Sequence, residues 1–145
     1  MDDFMGKKRI LVPACGGSPA LNYIRSLRAA PEAFEIIGTD CDKYSLVRAE
    51  VDRKFLVPSA KNQAYVSVLK DVIAQTGAEF IHLQNDTELA VVSERRDDLP
   101  IRHFFPSKET VRVCIDKFES YRRWAAAGLP QPRTLFLRTP EDLDG

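Results

Sequence analysis

The chain has 145 residues, of which 44% are hydrophobic and 29% charged, a composition typical of a globular domain and not of a disordered or membrane-spanning chain. Twenty-one Lys and Arg balance 21 Asp and Glu, so no net charge attracts nucleic acid or an anionic lipid surface. No apolar run is long enough for a membrane span or the core of a signal peptide, and we expect a cytoplasmic protein with no nucleic-acid or membrane partner.

Strand and helix patterns alternate through the first half of the chain. Arg9–Pro13 is a short apolar run of the kind that a parallel sheet buries on both faces, and Pro19 stands where a helix would begin. A second strand is predicted at Phe34–Asp40 and a third at Lys54–Pro58.

The same alternation continues in the second half. Asn62–Gly77 is predicted as a helix that Asn62 caps and Gly77 closes, and strand Glu79–Leu83 follows it. A helix is expected near Asp86, then strand Arg102–Pro106, then a helix capped by Ser107. This order predicts an α/β, Rossmann-like open parallel sheet with helices on both faces.

The last thirty residues follow a different pattern. A helix ending at Gly128 leads to a predicted strand, Arg133–Leu137, and Thr139 looks like the N-cap of another helix that is cut off at once. We therefore expect residues 1–115 to form the Rossmann-like domain and residues 116–145 a linker helix with the start of a truncated second domain.

The turn Cys15-Gly16-Gly17-Ser18 joins the first strand to the first helix, where exposed amides can hold an anion. It lacks the closing glycine of a dinucleotide-binding Gly-x-Gly-x-x-Gly motif, and no Gly-Lys-Ser/Thr follows it. Two interpretations stay open: a structural turn, or a contact of Gly16, Gly17 and Ser18 with an anion or a carboxylate substrate.

Acidic residues follow the second and fourth strands. Asp40 is interpreted as a turn residue. Asp86 is read as a helix N-cap and Glu88 as an acid that the helix dipole favours, the alternative being that either one shapes a substrate or nucleotide pocket. The three cysteines and two histidines lack the spacing of a metal site, so no metal is expected.

Four passages, in this order, resemble the N-terminal domain of ATP-grasp enzymes, especially the carbamoyl-phosphate-synthase-like branch. They are ILVPACGGSPALNYIRSLR, EIIGTDCDKYSLVRAEVDRKFLVP, FIHLQNDTELAVVSERRDDL and CIDKFESYRRWAAAGLPQPRT. The last is similar to the family's passage into the ATP-grasp domain. Gln84 stands where the family often has a proline after the fourth strand.

The resemblance implies a biotin-carboxylase-like, pre-ATP-grasp domain of a ligase that activates a carboxylate as an acyl phosphate with Mg-ATP and joins it to an amine. It also implies that Lys117 reaches the ATP phosphates, the alternative being a solvated surface lysine. The lobes that hold ATP and Mg²⁺ would follow this chain, so the chain alone would hold no catalytic residue and no tightly bound cofactor, and would be inactive.

Two other functions stay open at this point. One is a stand-alone nucleotide- or metabolite-binding regulatory module, and the weaker one is a fragment of an NAD-dependent reductase. The partners implied by the leading interpretation are small carboxylate and amine substrates and a C-terminal ATP-grasp domain, and a homodimer also stays open.

Overall fold

Five parallel strands form one sheet in the order β3-β2-β1-β4-β5 in the computed structural model, which describes residues 6–143. The strands are β1 (Lys8–Val12), β2 (Phe34–Asp40), β3 (Arg53–Leu56), β4 (Phe80–Ile81) and β5 (Arg102–His103). The order reverses between β1 and β4, which is the arrangement of a doubly wound fold.

A helix follows each of the first four strands, and two more helices follow β5 along the chain. They are α1 (Ser18–Ala29), α2 (Lys43–Arg48), α3 (Tyr65–Thr76), α4 (Asp86–Glu94), α5 (Lys108–Ile115) and α6 (Lys117–Ala126), with 3-10 turns at Arg96–Asp98 and Pro140–Leu143. Among the described residues, no helix is long and apolar enough to cross a bilayer.

Alternate residues of the central strands bury opposite faces of the sheet. Leu11 and Ile37, paired in register, belong to a core that contains Leu69 of α3 and Val92 of α4. Ile10 and its partner Ile36 belong to a second core, which contains Ile24 of α1. Burying one aliphatic side chain stabilises the fold by about 1.5–3 kcal/mol. Because both faces of the central strands are covered, consecutive residues are buried there, which explains the continuous apolar runs of these strands. The predicted sheet with helices on both faces is confirmed.

The described chain divides into two compact units, one ending at Pro106 and the other beginning at Ser107. In the second unit, the Ser120 hydroxyl of α6 donates a hydrogen bond to the Val113 carbonyl of α5 (2.7 Å). The expected domain boundary after residue 115 stays a prediction, and the ends of its ranges, residues 1–5 and 144–145, lie outside the described residues.

Two local predictions are wrong. The Asn62 side chain accepts a hydrogen bond from the Ala64 amide (2.9 Å), which makes a turn, and α3 begins three residues after it with Ala64 as its N-cap. Arg133–Leu137 has no strand partner among residues 6–143; the Phe136 ring packs on Phe118 instead, with centroids 5.0 Å apart. A strand needs a partner strand, and a local pattern does not show whether one pairs with it.

Candidate functional site

A cleft of about 320 Å³ opens at the carboxyl edge of the sheet, where the segments after β1, β2, β3 and β4 converge. Ligands of open α/β sheets bind at this edge. Ala14 and Gly17 line the cleft after β1. Its polar lining side chains are those of Asp40, Ser45, Ser59, Lys61, Asn85, Thr87 and Glu88.

The amides of the Gly16-Gly17 turn already donate hydrogen bonds to acceptors within the protein. The Gly16 N–H donates to the Asp40 carboxylate (3.1 Å), and the Gly17 N–H donates to the Ala14 carbonyl (2.9 Å). Gly16 also lies directly against α2, because a Cβ there would lie 2.2 Å from the Ser45 carbonyl oxygen. These contacts favour the structural turn; a substrate contact by Gly16, Gly17 or the exposed Ser18 stays a prediction.

Asp40 joins two neighbouring turns. It is 6% exposed, and besides the Gly16 amide its carboxylate accepts the Asp42 amide (3.0 Å). Asp42 in turn caps α2, a helix that the sequence analysis missed, by accepting the amides of Tyr44 and Ser45. Both oxygens of Asp40 are engaged, as expected of the turn residue that the sequence predicted.

Asn85, and not Asp86, caps α4. The Asn85 side chain accepts the amides of Thr87 (2.9 Å) and Glu88 (3.1 Å), so the predicted cap is wrong by one residue. Asp86 is exposed at the first helical position, where the helix dipole favours an acid. The residues on either side of it, Asn85 and Thr87, line the cleft, and Asp86 is not among the lining residues.

Glu88 is the second buried acid of the site, beside Asp40. It is 7% exposed, and burial, aided by the negative charge of Asp40, raises the pKa of its carboxyl to about 7. The hydroxyl of Tyr65, a fully buried residue of α3, lies beside this carboxyl, short of a full hydrogen bond, and its interaction with the carboxylate opposes part of the rise in the pKa. Burial and then the charge of Glu88 raise the pKa of Tyr65.

Glu88 Oε2 and the Tyr65 hydroxyl are both buried without a hydrogen-bond partner among the described residues. The sequence pattern placed Tyr65 in the apolar stripe of its helix. It did not predict that the Tyr65 hydroxyl lies beside Glu88, because the two residues are distant along the chain.

Lys117 belongs to the second unit, as the first residue of α6. Its side chain is exposed, and its ammonium group donates to the Cys114 carbonyl (2.8 Å) rather than to Asp116 or Glu119. Its contact with ATP phosphates stays a prediction. Within residues 6–143, no three His, Cys, Asp or Glu residues are grouped so that they could hold a metal ion.

Solved structures share this fold. An L-amino acid ligase from Bacillus licheniformis superposes with a TM-score of 0.65 at 13% identity, over 87% of this chain and 32% of its own. For the biotin carboxylase domain of a single-chain bacterial carboxylase, the TM-score is 0.61 at 19% identity, over 95% of this chain and 33% of that chain. For the biotin carboxylase subunit of a pyruvate carboxylase, the TM-score is 0.60 at 17% identity, over 94% of this chain and 32% of that chain.

The chain thus spans about a third of the length of these structures. At these identities the likeness establishes the fold, which is the biotin-carboxylase-like fold that the sequence predicted. A search of the curated proteins gave no match. Residues 10–100 match the family described as PylC-like, N-terminal domain, which is well over half of the chain. The chain belongs to the PylC-like N-terminal domain family.

Proposed function

We propose that this chain is the N-terminal part of an ATP-grasp ligase, in which it forms one wall of the substrate site. The whole enzyme would activate a small carboxylate as an acyl phosphate with Mg-ATP, and an amine or similar nucleophile would displace the phosphate. The observation that carries the proposal is the match of residues 10–100 to the PylC-like N-terminal domain. The L-amino acid ligase of the same fold supports it.

The described residues do not by themselves complete a site for ATP or Mg²⁺. The turn after β1 has a carboxylate, that of Asp40, on its Gly16 amide, so a phosphate would meet a like charge there. Residues 6–143 also lack a cluster of acids for a metal ion. Both groups would be held by a C-terminal ATP-grasp domain, and this chain alone would be inactive.

The first test measures ADP release by the full product of the gene that encodes this chain, with panels of carboxylates and amines. ADP release that needs both a carboxylate and an amine supports the ligase. If no combination releases ADP, the ligase proposal is overturned in favour of a regulatory binding module.

The second test examines Lys117 in the same full product. Lys117→Ala is expected to weaken Mg-ATP binding by roughly tenfold, since one charged contact to phosphate contributes about 1.5 kcal/mol. The matched control is Lys108→Ala, because Lys108 is the first residue of α5 as Lys117 is of α6. Equal effects of the two substitutions would remove Lys117 from the ATP site. Tight binding of NADH in place of ATP would favour a reductase.

A further inference from the structure

The carboxyl-edge cleft borders an incomplete set of hydrogen bonds. Glu88 lines the cleft, and its Oε2 and the Tyr65 hydroxyl are buried without partners among the described residues. A buried polar group left unpaired destabilises the folded state. The two groups lie side by side, so an ionised Glu88 can accept a hydrogen bond from the Tyr65 hydroxyl, and a cationic ligand in the cleft would stabilise that ionised form.

Two buried acids line the cleft. Asp40 and Glu88 both line it and are more than nine-tenths buried. The oxygens of Asp40 already accept two backbone amides, whereas Glu88 Oε2 has no hydrogen-bond partner among the described residues. Lys61, which is exposed, is the one cation among the residues lining the cleft. A cationic hydrogen-bond donor complements these acids, and an anion does not.

The cleft also limits the size of the ligand. Its volume of about 320 Å³ suits a small molecule, and the methyl groups of Ala14 and Ala60 lie in its lining beside three hydroxyl groups. The lining therefore offers apolar surface for a short aliphatic chain and an acid for one charged end.

We propose that Glu88 binds the ammonium group of a small primary amine in this cleft. The ionised carboxylate accepts a hydrogen bond from the ammonium on the cleft side and one from the Tyr65 hydroxyl on the buried side. Taking this amine to be the substrate that attacks the acyl phosphate rests on the proposed function; the binding itself rests on the cleft.

Binding should depend on the ionisation of Glu88. Its pKa is about 7, so its carboxyl is ionised to about one tenth at pH 6 and about nine tenths at pH 8. Burial raises the pKa of Cys15 to about 12, and it also raises those of Tyr65 and Cys41, so none of these groups ionises appreciably in this range. The titratable and charged groups that face Glu88 or share its cleft are Tyr65, Asp40, Cys15, Cys41 and Lys61.

The test follows the amide signals of Gly17, Thr87 and Glu88 in the ¹⁵N-labelled chain during titration with n-propylammonium chloride, and with sodium propionate at equal ionic strength. We expect millimolar binding of propylammonium, about tenfold tighter at pH 8 than at pH 6, and weaker or no binding of propionate. The opposite result, propionate binding that strengthens as the pH falls, would mean that Glu88 acts as a neutral donor and would overturn the proposal. So would the absence of shifts with propylammonium.

Variants locate the effect. Glu88→Gln should weaken propylammonium binding roughly tenfold or more at pH 8 and remove its pH dependence. Glu94→Gln, the same change at the exposed end of the same helix, should leave both unchanged. Equal binding by the Glu88→Gln variant and the unmodified chain would refute the site. Should the Glu88→Gln variant not fold, the pH dependence of the unmodified chain decides.

The proposed function can fail separately. Propylammonium binding at Glu88 in a gene product without ligase activity would leave the site standing and remove the ligase. Conversely, ligase activity in which Glu88→Gln leaves the KM for the amine unchanged would keep the ligase and remove this site.

Discussion

Replacing Gly16 by alanine tests whether the turn after β1 is held by its contact with α2. The new Cβ would lie 2.2 Å from the carbonyl oxygen of Ser45 and 2.4 Å from its carbonyl carbon. Both are backbone atoms of a capped helix, so no side-chain rotation relieves the overlap. The turn and α2 must separate by about 1 Å before the contact becomes an ordinary one.

Where the turn is the part that moves, the hydrogen bond from the Gly16 amide to the Asp40 carboxylate, which is 3.1 Å long, is stretched as well. Overpacking costs about 1–3 kcal/mol, and a lost hydrogen bond to a charged group about 1.5–3 kcal/mol. Because partial relaxation relieves some of both, we expect Gly16→Ala to lower the free energy of unfolding by about 3 kcal/mol and Tm by roughly 10 °C.

Urea unfolding followed by far-ultraviolet circular dichroism measures this loss. The single tryptophan, Trp124, is unsuitable as the probe, because it belongs to the second unit. Gly17→Ala is the matched control: its Cβ would lie 3.2 Å from the Ala14 carbonyl oxygen, and we expect a cost below about 1 kcal/mol. Similar losses in the two variants would refute the steric argument for Gly16.

Three further predictions concern the residues around the cleft. Asn85→Ala should cost about 1–2 kcal/mol of unfolding free energy, since it removes the cap of α4, and Asp86→Ala only about 0.5 kcal/mol, both measured by urea unfolding. Cys15 is buried with a pKa of about 12, so of the three thiols it should resist dithiobis(nitrobenzoate) at pH 8 until the chain is unfolded, while the two exposed ones react. Folding raises the pKa of Glu88 from 4.5 to about 7, so the folded state binds its proton more tightly than the unfolded chain. The unfolding free energy should therefore fall by about 3 kcal/mol as the pH rises from about 4.5 to 7, and Glu88→Gln should flatten this slope.

Each of these predictions has an outcome that contradicts it. A larger loss of unfolding free energy in the Asp86→Ala variant than in the Asn85→Ala variant would show that Asp86 is the cap of α4. Rapid reaction of all three thiols in the native chain would show that Cys15 is accessible. An unchanged pH dependence of stability after Glu88→Gln would assign the slope to another group.

Local signals in the sequence were enough to predict most of the elements. The short apolar runs at β1 and β2, the periodic stripe of α3 and the αL glycine that ends it, Gly77, are properties of neighbouring residues. The alternation of such runs also determines the parallel topology, since a right-handed crossover leaves few other arrangements. The helix α2 was missed because its six residues bury no side chain and therefore carry no periodic stripe.

The parts that could not be predicted depend on contacts between distant segments. Arg133–Leu137 has the composition of a strand but pairs with no strand among residues 6–143, and Gly16 must be glycine because α2 passes over it. For the site, the sequence by itself placed Asp40, Asp86 and Glu88 at the carboxyl ends of their strands. Only the tertiary structure decided that Glu88 is buried beside Tyr65 while Asp86 faces solvent, because burial and the pKa that follows from it are set by the packing of α3 and α4 on one face of the sheet.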